Sequence, residues 1–80
     1  MSTLDRLREI LTSHFGVEAD EVQPDATFAD LDLDSLAIVE FALVVEKAFG
    51  VPIGEDEVSP RATVTDALVL LGTKGVPADG

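Results

Sequence analysis

The eighty residues include no cysteine, no tryptophan and no tyrosine, a single histidine, and only five Lys and Arg. Each shortage removes a class of function. Without cysteine there is no disulfide, no thiolate metal site and no thiol nucleophile encoded by the chain itself. One histidine, His14, cannot make a multi-histidine metal site alone. It lies at the edge of the first apolar stripe and near a helix C-terminus, where a packing or capping role is expected. Sixteen Asp and Glu against five basic residues give a formal net charge of −11. Nucleic-acid binding and docking on an anionic membrane both need the opposite sign, whereas basic patches on other proteins suit it. Long apolar runs are also missing. The longest, Phe41 to Val45 and the equally long Ala67 to Leu71, are far shorter than a membrane span. No basic segment followed by an apolar stretch opens the chain, so no signal peptide is read and a cytoplasmic protein is expected.

What remains is enough for one small folded domain. Hydrophobic residues make up 46% of the chain, which separates it from a disordered acidic tail. Leu4, Leu7, Leu11 and Phe15 recur at helical spacing, with Ser2 or Thr3 as cap, Asp5 in the first turn and Gly16 as stop. From Val17 to Asp34 there is no clean period, and Pro24 interrupts any helix. A loop this long is tolerable if Val17, Val22, Phe28 and Leu31 turn inward and pin it. Its acidic residues, Glu18, Asp20, Glu21, Asp25, Asp30, Asp32 and Asp34, read as a solvated face.

A second helix is expected from Ser35 to Phe49, with Asp34 as N-cap and Gly50 and Pro52 as stop. Ile38, Phe41, Ala42, Val45 and Phe49 form its inward stripe, while Leu36, Val39, Glu40, Leu43 and Lys47 fall on the opposite side. That outer mixture of apolar and charged residues is either covered by neighbouring loops or is a partner site. Glu55 to Ser59 is expected to form a short helical turn between Gly54 and Pro60. Thr63-Val64-Thr65-Asp66 resembles a capping box opening a last helix, with Val64, Ala67, Leu68 and Leu71 inward and Gly72 as its end. The fold class is all-α: a small bundle of three main helices plus one short helix, with a long first loop. The domain is placed at residues 1–72, followed by a tail over 73–80 expected to be disordered.

Chemistry concentrates at Ser35. As a nucleophile it would need a base, an orienting acid and an oxyanion hole, yet the chain has one histidine and no Gly-x-Ser-x-Gly elbow. As part of a calcium loop, Asp30, Asp32 and Asp34 imitate the first three ligands, but Ser35 and Phe41 stand where glycine and glutamate are required. The alternating Leu31 and Leu33 point to packing instead. A third role is covalent attachment. A serine in the first turn of a helix exposes its hydroxyl beside free backbone N–H groups, and Asp34 partly offsets that welcome for a phosphodiester. Ordinary phosphorylation would use the same geometry.

Phe28-x-x-Leu31-x-x-Asp34-Ser35-Leu36, followed by Val39-Glu40, resembles the attachment motif of acyl carrier proteins. The likeness extends through Glu46, Phe49, Val51-x-Ile53 and Thr63-Val64-x-Asp66, reaching about Leu71. It implies a carrier and not an enzyme, with 4′-phosphopantetheine transferred to Ser35 from coenzyme A by a phosphopantetheinyl transferase. The arm ends in the thiol that the chain lacks, and acyl groups ride on it as thioesters. The resemblance further implies that Asp34 assists the transfer, partly through the transferase's metal ion. The second helix would then be the recognition helix, with contacts at Leu36, Val39, Glu40 and Leu43. Its bundle would open to shelter a growing acyl chain.

Two departures stand out. Asp32 occupies a position where many members have glycine, although the Leu-Asp-Leu-Asp-Ser-Leu form resembles carriers of actinobacterial fatty acid systems. Ala37 and Lys47 stand where acidic residues are common, which points partner choice toward a dedicated carrier. The expected function is that of a free-standing carrier, monomeric when free. It would serve separate ketosynthase, acyltransferase and other enzymes of a type II fatty acid or polyketide synthase. A peptidyl or aryl carrier of nonribosomal peptide assembly is the alternative within the class, and an unmodified acidic adaptor is the alternative outside it.

Overall fold

A computed structural model of the chain describes residues 2–54 and 56–76. It contains three helices, α1 (Thr3–Phe15), α2 (Ser35–Phe49) and α3 (Val64–Thr73), and a 3-10 turn at Ala19–Glu21. Among the described residues there is no strand, only an isolated antiparallel bridge between Thr27 and Thr63.

Local chemistry sets the helix ends. Ser2 caps α1 in a reciprocal box with Asp5, and Thr63 does the same for α3 with Asp66. The Asp34 carboxylate caps α2 by accepting from the Ala37 N–H at 2.8 Å. Gly16 and Gly50 end α1 and α2 at φ 69° and 70°, a left-handed backbone that glycine adopts without a Cβ penalty. α3 runs one residue past Gly72. It closes through Val76 N–H to Leu71 C=O and Gly75 N–H to Gly72 C=O, both within 3.1 Å. These two bonds are the paired C-terminal bonds of a Schellman turn. The remainder of the segment expected to be a disordered tail, residues 77–80, lies outside the described residues.

α1 and α2 run antiparallel. The Arg6 guanidinium donates to the Ala48 carbonyl at one end, and the Phe15 ring meets Phe41 edge-on at the other. The buried face of α1 consists of Thr3, Leu7, Ile10 and Leu11, so Ile10 belongs to the core while Leu4 and Phe15 sit at its margin. α2 buries Ile38, Phe41, Ala42 and Val45 as its period dictates. His14 is exposed in the last turn of α1, so of its two expected roles the packing one fails.

Val17, Val22, Phe28, Leu31 and Leu33 are all buried, which pins the long loop as its apolar residues require. Backbone bonds tie it laterally to the approach to α3: Phe28 N–H to Ala62 C=O, Ala29 N–H to Pro60 C=O and Val64 N–H to Ala26 C=O. The short helical element lies in this loop, at Ala19–Glu21. Residues 56–59 form a turn and bends instead, and Glu55 lies outside the described residues. That connection is held by side chains. Glu46 accepts from the Ile53 N–H at 2.9 Å, and Glu57 accepts from the Gly54 N–H and from Lys74. The Lys74 ammonium, with help from the Gly54 N–H, holds the Glu57 carboxyl below its usual range.

Candidate functional site

The site begins one turn before Ser35. Residues 28–33 form a single helical turn, closed by Leu33 N–H to Phe28 C=O and Asp32 N–H to Ala29 C=O, each at 3.0 Å. The turn is capped at its start by a reciprocal pair, Asp30 N–H to Thr27 Oγ1 and Thr27 N–H to Asp30 Oδ2. It reverses at Asp32, whose φ of 62° makes it the one non-glycine left-handed residue among those described. That reversal brings both Leu31 and Leu33 inward and delivers Asp34 to the start of α2.

The torsion gives Asp32 a physical account. A glycine costs nothing in this conformation, Asp tolerates it, and a β-branched residue does not. We expect Asp32→Gly to change unfolding free energy by less than about 1 kcal/mol and Asp32→Val to cost about 2 kcal/mol, read from urea denaturation midpoints.

Ser35 is the first residue of α2 and is exposed, as is Asp34. The Ala37 N–H is taken by the Asp34 carboxylate and the Ile38 N–H by the Asp34 carbonyl, at 2.8 and 2.9 Å. Those of Ser35 and Leu36 have no acceptor among the described residues and lie at the positive end of the helix dipole. An open groove of about 330 Å³ leads away from Ser35 along Ile38 and Val39, walled on its other side by Asp56, Val58, Ser59 and Pro60. The groove therefore combines Ser35, a largely apolar lining interrupted by Asp56 and Ser59, and solvent access, which fits a slender arm. The opposing wall was not legible in the sequence, because it comes from a distant stretch brought in by Ile53, Val58 and the Pro60–Ala29 bond.

The acids imitating a calcium loop have other employment. Asp30 and Asp34 use their carboxylates as caps, while the intervening leucines are buried. On the outer face of α2, Leu36 is 71% exposed and Leu43 51%, Glu40 and Lys47 are exposed, and Val39 is half-buried beside the groove. Among the described residues, no neighbouring loop covers Leu36 or Leu43. No helix among the described residues is long and apolar enough to cross a membrane.

Comparison with known proteins agrees with this geometry. Residues 5–67 match the family model described as the phosphopantetheine attachment site. The acyl carrier protein of Zymomonas mobilis subsp. mobilis is 43% identical over 67 residues, covering 82% of this chain and 86% of that protein. The acyl carrier protein of Solidesulfovibrio magneticus is 37% identical over 75 residues, covering 92% and 96%. By its helical fold, its attachment-site match and these relatives, the chain belongs to the acyl carrier protein family, whose members are carriers and not enzymes and whose cofactor is 4′-phosphopantetheine.

Proposed function

We propose that Ser35 is the residue that receives the phosphopantetheine arm, and that the protein carries acyl intermediates between separate enzymes of a type II fatty acid or polyketide synthase. The observation that carries this reading is the exposed Ser35, which lines the groove from the first turn of α2. When bound, the arm supplies a thiol on which acyl groups are held as thioesters. The chain's own contributions are to present the hydroxyl, to line the arm with Ile38, Val39 and Val58, and to display α2 to partner enzymes through basic patches on their surfaces. The bundle interior is closed. The void between Leu7, Phe41, Val45, Ile53, Val58 and Leu71 is about 10 Å³, room for no more than one water. An acyl chain shelters there only if the helices spread.

The test is intact-protein mass after incubation with coenzyme A and a broad-specificity phosphopantetheinyl transferase, then with malonyl-coenzyme A and a malonyl transferase. A phosphopantetheine increment followed by a malonyl increment is expected. Loading of an amino acid by an adenylating enzyme, with no malonyl increment, would move the chain to peptide assembly.

Asp34 has two roles that substitution separates. Asparagine caps a helix about as well as aspartate, so Asp34→Asn keeps stability within a few tenths of a kcal/mol. Losing the carboxylate's contact with the transferase's metal ion slows modification roughly tenfold. Asp34→Ala loses the cap as well and costs about 1 kcal/mol. Equal modification rates for Asp34→Asn and the parent would reduce Asp34 to a cap.

A further inference from the structure

In a chain of net charge −11, most of the few basic side chains are committed internally. Arg6 donates to the Ala48 carbonyl and lies over the Phe49 ring, Arg8 reaches Asp5 and the Val22 carbonyl, and Lys74 pairs with Glu57. Among the described residues, Lys47 and Arg61 make no hydrogen bond or ion pair. Lys47 stands on the open face of α2. At 100° per residue, Leu36, Glu40, Leu43 and Lys47 fall within about 60° of arc, making one stripe along the helix. Glu40 is exposed and, among the described residues, its side chain also has no hydrogen-bond or ion-pair partner. The stripe thus reads apolar, acidic, apolar, basic.

We propose that α2 docks on a protein groove that is not uniformly basic: it carries a pocket for Leu43, a cation facing Glu40 and a carboxylate facing Lys47, about 10 Å apart. The inference rests on the reading of the chain as a carrier that visits separate enzymes, and it adds the chemistry that selects among them. A uniformly basic groove would set a cation against Lys47, and that repulsion excludes partners that net charge alone would admit. Two copies packed antiparallel would also match Glu40 with Lys47. Each copy, however, brings a charge of −11, and their mutual repulsion favours a different protein.

The test uses the phosphopantetheine-loaded protein and two synthetic helical peptides of equal length and identical apolar stripe. One peptide flanks its stripe with an arginine and a glutamate two turns apart; the other has arginine at both places. Amide-shift titration at low salt is expected to show the Arg/Glu peptide binding about five-fold tighter than the Arg/Arg peptide, with shifts centred on Leu43 and Lys47. Lys47→Gln removes the preference and Lys47→Glu reverses it; the residue is exposed, so both variants fold. Equal or tighter binding of the Arg/Arg peptide overturns the proposal, as does no binding of either peptide or binding away from α2. Concentration-dependent dimerisation in sedimentation, lost in Lys47→Glu, would overturn it in favour of a second copy. Loss of the peptide preference in protein that still accepts phosphopantetheine at Ser35 overturns this inference alone.

Discussion

Ser35→Ala takes up no phosphopantetheine from coenzyme A and a transferase, yet unfolds within about 0.5 kcal/mol of the parent. Both halves of that result follow from the position of the side chain. Ser35 is exposed and its hydroxyl makes no hydrogen bond among the described residues, so no partner there is left unsatisfied when it goes. Alanine is also a good residue inside a helix. The chemistry, in contrast, has no substitute oxygen in the same place. Of the other serines, Ser2 is occupied in capping α1 and Ser13 lies on the exposed side of α1, away from the groove. Ser59 is the informative control because it lines the same groove. It sits on the opposing wall and not in the first turn of a helix, so Ser59→Ala should be modified as the parent is. Intact mass and denaturation midpoints for the two variants check this.

Phe28→Ala should cost about 3–5 kcal/mol, a large share of the roughly 5–15 kcal/mol that holds a domain of this kind together. Its ring is fully buried and lies 5.0 Å from that of Phe41, which in turn meets Phe15 at 6.0 Å. Its backbone donates to Ala62 and accepts from Leu31 and Leu33. One residue therefore joins the long loop to the core of α2, to the approach to α3 and to the turn that delivers Asp34 and Ser35. Truncation leaves a void at that junction, and the remaining backbone bonds cannot fill it. The urea midpoint should fall sharply, and modification should fall with the folded fraction. Phe28→Leu, which keeps most of the volume, should cost about 1–2 kcal/mol and remain modifiable. A Phe28→Ala protein as stable as the parent would mean that the loop is held by its hydrogen bonds and not by this ring.

The sequence was most legible where structure is decided within a turn. Asp34 and Gly50 bracket α2 at the residues expected, because a cap and a left-handed glycine act locally. Thr63 and Asp66 do the same for the start of α3. Apolar residues stranded in an acidic loop could turn only inward, so Val17, Val22, Phe28 and Leu31 were also readable. The start of α2 at Ser35 was legible for the same local reasons. What the sequence did not reveal depends on distant partners. Helical spacing cannot say which flank of α1 meets α2, and the buried flank takes in Ile10 while Leu4 and Phe15 are only partly buried. The bond from the Ile53 N–H to the Glu46 carboxylate joins residues seven apart across the end of α2, beyond the reach of any local pattern. The torsion at Asp32 is set by the closing of the 28–33 turn and leaves no mark in periodicity. The short helical element expected at 55–59 is instead at Ala19–Glu21, where three residues suffice for one tight turn; the later connection is shaped by Glu57 and Lys74.

The central claim is that Ser35 is the anchor of the arm. It is tested most directly by fragmenting the transferase-modified parent protein and locating the added phosphopantetheine in its sequence. The account predicts a single modified residue, Ser35. An increment on Ser59 or any other residue, or a parent protein that gains no mass at all, would contradict it.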